Sequence, residues 1–199
     1  MPTFDPDDGG RPRRRRPPPP LSPTTLRDEA LRYLERFPAS EARLRAVLAR
    51  RIQRAVDWGR GDATTAAAWV DALVADLRES GRLDDPSLAT AIGAALGRRG
   101  ASARGIREKL HRRGFQAEAV GEALAARAPH DEADAARAYA RRRRLGPFRR
   151  DSASRAASRD KDLAALGRAG FSFDLARRII DGSGTAEEED DPKNHGGGR

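Results

Sequence analysis

The chain contains no cysteine, which excludes disulfides, thiolate metal sites and cysteine nucleophiles. Its histidines, His111, His130 and His195, are scattered and do not form a zinc set. Aromatic residues make up only 5%, too few for a sheet that reads nucleic acid by stacking bases on rings. No apolar run approaches the ~18 residues of a membrane span. The N-terminus is built from Asp, Pro, Gly and Arg and lacks the apolar stretch of a secretory signal. A soluble, cytoplasmic protein is the expectation. There is no G-x-x-x-x-G-K-[ST] phosphate loop and no H-E-x-x-H zinc motif. Asp84-Asp85 reads as a helix start, with Asp85 as the cap before Pro86, rather than as a metal pair. No catalytic, cofactor or metal residue is assigned, and a non-enzymatic role is expected.

What the chain has in excess is positive charge, formally +9 with a pI near 11.0. A protein of this kind attracts polyanions, whether nucleic acid or acidic protein surface. The heavy use of arginine and alanine is also what GC-rich codon usage produces, and the charge by itself does not separate the two readings.

The strongest pattern is a repeated helical phrase. Residues 102–115 read SARGIREKLHRRGF, with Ser102 as a helix N-cap, Ile106 and Leu110 one turn apart, and a basic-Gly-Phe ending at Gly114 and Phe115. Residues 40–51 read SEARLRAVLARR, with Ser40, Leu44, Leu48 and Arg51 in the same register. The ending returns in Leu166-Gly167-Arg168-Ala169-Gly170-Phe171. Leu48, Ile106, Leu110, Phe115, Leu166 and Phe171 are expected in the core.

Apolar spacing of helical period and cap residues place nine helices between two tails. Residues 1–24 are expected to be a disordered Arg/Pro-rich tail, with Arg11, Arg13–Arg16 and Pro17–Pro20. Residues 182–199 are expected to be a second disordered tail, with Glu187–Asp191 acidic. Between them Thr25, Ser40, Asp62, Asp85, Ser102, Asp131 and Ser172 are candidate helix starts. Pro38, Gly59, Gly81, Gly100, Gly114 and Pro129 are candidate ends, and the seventh helix should run to Leu145. The fold class is all-α, three tandem three-helix repeats over 25–83, 84–129 and 130–181. Stacked modules of this kind make an elongated, curved monomer.

Two basic clusters are the candidate binding residues. Arg141, Arg142, Arg143 and Arg144 form the densest run, and Arg149 and Arg150 follow after the Gly146-Pro147 turn, where they could converge on it. Consecutive positions cannot share one helix face, so part of the run must point to solvent. Arg98, Arg99, Arg104, Arg107, Lys109, Arg112 and Arg113, with His111 among them, form the second cluster. Arg104 has Glu108 at the pairing distance of one turn. Arg112 and Arg113 sit at a helix C-terminus, where cations are favourable without any ligand.

The chain resembles the RecX family of bacterial RecA regulators. The resemblance rests on Leu31-Arg32-Tyr33-Leu34, the Ser40 phrase and Gly81-Arg82-Leu83-Asp84-Asp85. It continues through Arg98-Arg99-Gly100, Ile106-Arg107-Glu108-Lys109-Leu110, Arg113-Gly114-Phe115 and Gly170-Phe171-Ser172-Phe173. It spans roughly residues 25–181. Where the family closes its first module with a basic-Gly-Phe turn, Arg50-Arg51-Ile52-Gln53 continues the helix here. Membership implies a protein that binds the RecA protein and the RecA–ssDNA filament, possesses no cofactor, and inhibits RecA ATPase, recombinase and co-protease activity. The alternative is a helical protein that acts on DNA directly.

Overall fold

In the computed structural model, residues 17–128, 130–151 and 153–182 are described. The Arg11–Arg16 run, Pro129, Gly184 and the acidic Glu187–Asp191 stretch lie outside them. Among the described residues every regular element is helical: α1 (Pro23–Arg36), α2 (Glu41–Asp57), α3 (Ala63–Glu79), α4 (Asp85–Arg98), α5 (Ala103–Arg112), α6 (Ala117–Ala125), α7 (Asp131–Arg143), α8 (Ala153–Arg168) and α9 (Phe173–Asp181), with a short 3-10 turn at Gly146–Phe148. The all-α expectation holds. No helix among the described residues is long and apolar enough to cross a membrane.

Most helix starts lie where short polar side chains can hold the free N–H groups of a first turn. Asp62, Ser102 and Ser172 accept hydrogen bonds from the backbone N–H of Thr65, Gly105 and Leu175. Ser40 accepts from Arg43 N at 3.2 Å. Two starts differ from expectation. The cap of α1 is Ser22 rather than Thr25; Pro23 supplies the preset φ of the first turn, and Thr25 returns a side-chain bond to the Ser22 N–H. The cap of α4 is Asp84 rather than Asp85. Asp85 is the first helical residue, and its Oδ1 accepts the Glu41 N–H at 3.0 Å. At the far end of α7 the helix stops at Arg143 instead of reaching Leu145, because Arg144 turns into the left-handed region at φ 53°.

The chain divides into two compact units. One holds α1, α3 and α2 from Leu44 onward, around Leu26, Leu44, Leu48, Val74 and Leu77, all essentially fully buried. Arg51, 5% exposed, points into this unit and donates from Nη2 to the Pro19 carbonyl at 2.7 Å. The other unit holds the segment Pro38–Arg43 and the described residues from Gly81 onward. Within it α4, α5 and α6 enclose Ala89, Ile106, Leu110, Phe115 and Val120. Helices α7, α8 and α9 enclose Ala136, Ala140, Leu166, Phe171, Leu175 and Ile179. All six core residues expected from the repeated phrase are buried.

The repeated phrase also makes the same joint twice inside this second unit. The Ser40 hydroxyl donates to the Arg113 carbonyl at 2.7 Å, and the Ser102 hydroxyl to the Ala169 carbonyl at 2.6 Å. The residue after each serine offers its N–H to a carboxylate: Glu41 to Asp85, Ala103 to Glu132 at 3.0 Å. Each accepting carbonyl precedes a glycine of positive φ, Gly114 at 86° and Gly170 at 95°. The approach is close: a Cβ on Gly170 would lie 2.7 Å from Ser102 Oγ, and one on Gly114 3.2 Å from Ser40 Oγ.

Candidate functional site: a cationic cleft

The ends of four helices of the second unit converge on a cleft of about 510 Å³. Arg99 and Gly100 come from the end of α4, Ser102 and Lys109 from α5, Tyr139, Arg142 and Arg143 from the last turns of α7, and Ala165, Arg168 and Ala169 from α8. Among the described residues, five lining side chains are cationic and none is acidic. The two basic clusters that are far apart in sequence thus meet, through Arg99 and Lys109 on one side and Arg142 and Arg143 on the other.

The cations divide by what they already hold. Helices α4, α7 and α8 end here, and a helix C-terminus presents unpaired carbonyls and a partial negative charge. Arg142 donates from Nη1 to the Arg99 carbonyl, and its guanidinium lies 5.7 Å from the centroid of the Tyr139 ring. Arg104, on the edge, donates from Nη2 to the Arg168 carbonyl at 3.1 Å and lies 3.8 Å from Glu108. These two arginines tie up carbonyls left over at helix ends. The charged heads of Arg99, Lys109, Arg143 and Arg168 have no acceptor among the described residues. They stand as four positive charges around one depression, and no carboxylate, histidine or thiol of the described residues lines it. Such a constellation attracts and holds polyanionic or acidic surface by Coulomb force and hydrogen bonding.

Other candidates are placed elsewhere. Arg149 does not join the patch. Its Nε and Nη2 donate to Asp162 Oδ2 and Oδ1 at 2.8 and 2.6 Å, a bidentate pair that occupies the guanidinium. Asp162 is 1% exposed and accepts the Gly146 N–H as well, at 2.8 Å. The Arg149 hydrogen bonds above all hold its carboxyl below the ordinary value; burial works against them and the Gly146 N–H adds to them. Arg141 lies 5.4 Å over the Phe148 ring. Arg98 lines a separate groove with Arg127, Asp131 and Asp134. Arg112 donates from Nε to the Glu108 carbonyl at 3.4 Å, and Arg113 lends its carbonyl to Ser40. Arg107, Arg144 and Arg150 are exposed and outside the cleft. Arg168 and Tyr139, by contrast, are cleft residues that sequence reasoning missed. Arg168 lies inside the third copy of the phrase, between the Leu166 and Phe171 that carry its register.

No family model matches the chain. Over 163 residues it is 45% identical to the regulatory protein RecX of Myxococcus xanthus (strain DK1622), covering 81% of this chain and 87% of that protein. Its fold is similar to the crystal structure of a regulatory protein RecX, with a TM-score of 0.55 at 20% identity over 80% of this chain and 71% of that one.

Proposed function

Because the chain belongs to the RecX family of regulatory proteins, we propose that it binds RecA and the RecA–ssDNA filament in the cytoplasm and lowers RecA ATPase, recombinase and co-protease activity in DNA repair and the SOS response. It acts by occupying a surface, not by catalysing a reaction. The observation that carries this reading is the set of four cations, Arg99, Lys109, Arg143 and Arg168, without an acceptor among the described residues, around a cleft that those residues line with no acidic side chain. A nucleoprotein filament offers what such a cleft attracts, phosphates and acidic protein surface in one assembly.

The test is a titration into RecA, ssDNA and ATP, following ATP hydrolysis. Wild-type protein should inhibit, and its potency should fall as salt rises. The double reversal Arg143→Glu/Arg168→Glu should weaken inhibition and flatten the salt dependence, with the fold intact, since exposed charge changes stability by only roughly 0.5 kcal/mol per site. Full inhibition by that variant refutes the reading. The same cleft also favours direct action on DNA. A protein acting that way would bind naked ssDNA at least as tightly as the RecA-coated strand.

A further inference from the structure

We propose that Asp162 is a positioning residue for the cationic cleft: it ties down the turn after α7 and so holds Arg142 and Arg143 at the cleft edge. This rests on the functional reading above.

The register of the repeated phrase points to it. Aligning Leu166, Gly170 and Phe171 with Leu110, Gly114 and Phe115 sets Asp162 opposite Ile106, and the Ser40 and Ser102 copies set Leu44 opposite Ile106. Leu44 and Ile106 are 0% exposed and Asp162 is 1% exposed, so one and the same core position carries an aliphatic side chain twice and a carboxylate once. Packing does not account for the exchange. A buried ion pair gains little or nothing over well-packed apolar residues of similar volume. A rule broken at one copy of a pattern is where function is to be sought.

Among the described residues, all three donors to Asp162 come from one short segment, Gly146 N–H and the Nε and Nη2 of Arg149. That segment directly follows the arginine run. Arg144, a non-glycine residue at φ 53°, ends the helix one residue after Arg143. A side chain keeps such a backbone conformation only when its surroundings impose it. Gly146 is held from the other side, since a Cβ there would meet Ile180 Cα at 2.9 Å. Phe148, inside the same segment, carries the Arg141 guanidinium. The path of residues 144–149 therefore decides where the last turn of α7 ends and which way Arg142 and Arg143 project.

The experiment uses the full chain with Asp162→Ile/Arg149→Gln, which restores the aliphatic residue of the other two copies and leaves no buried guanidinium unpaired. Asp162→Asn is the second variant; it keeps the volume and an acceptor for the Gly146 N–H but not the ion pair. Amide exchange by mass spectrometry, thermal melting and RecA ATPase inhibition across a salt series are read on each folded variant. The expected result is faster exchange at 144–149, a flatter salt dependence and a loss of potency of about three- to thirtyfold. A merely structural Asp162 would move the melting temperature and leave the salt dependence alone. Wild-type exchange, or wild-type potency and salt dependence in a chain where Arg143→Glu/Arg168→Glu is impaired, overturns the proposal. If Arg143→Glu/Arg168→Glu itself inhibits fully, the functional reading falls instead, and the proposal with it.

Discussion

Replacing Gly170 with alanine should cost far more than one methyl group suggests. Gly170 has φ 95°, and an L side chain in that half of backbone space costs about 1–2 kcal/mol. The new Cβ would also stand 2.7 Å from Ser102 Oγ and 2.9 Å from Arg104 Nε. The arginine tip can swing away at little cost, but the serine cannot. Its hydroxyl donates to Ala169 O at 2.6 Å and accepts from Gly105 N at 3.1 Å, so moving it breaks a joint and a helix cap together. The joint hydrogen bond is worth about 1 kcal/mol net and the cap about another. Gly170→Ala should therefore destabilise by about 3–4 kcal/mol, a fall in melting temperature of roughly 6–16 °C for a chain of this size. Ser102→Ala alone should cost about 2 kcal/mol. In the double variant the clash has lost its partner, so the total should stay near about 3–4 kcal/mol, well short of the sum. Urea and thermal unfolding followed by circular dichroism measure all three. A Gly170→Ala loss within about 0.5 kcal/mol, or strict additivity in the double variant, would refute the reasoning.

Gly114→Val should lower the melting temperature as well, because φ is 86° there and a Cβ would meet Ala42 Cβ at 3.0 Å; an unchanged melt would mean the residue can leave that conformation freely. Reversing Arg141–Arg144 to glutamate should weaken filament inhibition more than it lowers stability, with Arg143 responsible for most of the effect, as single reversals in the ATPase titration will show. Stability should also depend on pH through Asp162. Its folded-state carboxyl is depressed, chiefly by the Arg149 hydrogen bonds, so its contribution is complete above the unfolded-state value of about 3.9 and is lost as pH falls through the folded-state value. Acid unfolding should accordingly be less steep in Asp162→Asn than in wild type, with residual pH dependence from Asp62, Asp84 and Asp181, which are also depressed.

Helices were legible wherever the chain writes their ends locally. Ser102 and Gly114 announce α5 because a cap and a left-handed terminus are decided within a few residues. The misplaced starts at Thr25 and Asp85 have the same cause: Ser22 and Thr25, or Asp84 and Asp85, are both competent caps, and the choice depends on which N–H each side chain reaches. The overrun of α7 to Leu145 is of another kind. Arg144 carries no local signal for positive φ, and the tethers that hold the following turn lie on α8 and α9. The site was legible in composition but not in arrangement. That Arg99, Lys109, Arg143 and Arg168 meet follows from how α4, α5, α7 and α8 pack. That Arg149 is spent on Asp162 depends on a partner in another helix. Asp162 itself had a signal, since the register of the repeated phrase places a carboxylate where the other copies have leucine and isoleucine.

The doubled joint has a consequence for how this surface can change over generations. At both joints the serine hydroxyl reads a carbonyl, and the carboxylate of Asp85 or Glu132 reads an N–H. What is recognised on the other side is main chain, which every residue type supplies alike. A serine, an acid and a glycine carry the specificity, and the exposed positions of α4, α5, α7 and α8 are left out of it. Apart from Arg104 and Arg142, which hold helix-end carbonyls, charge can be added to, removed from or shifted along those helices without touching the joints. A cationic edge can thus be retuned to a diverging partner one substitution at a time, each change tested on binding alone.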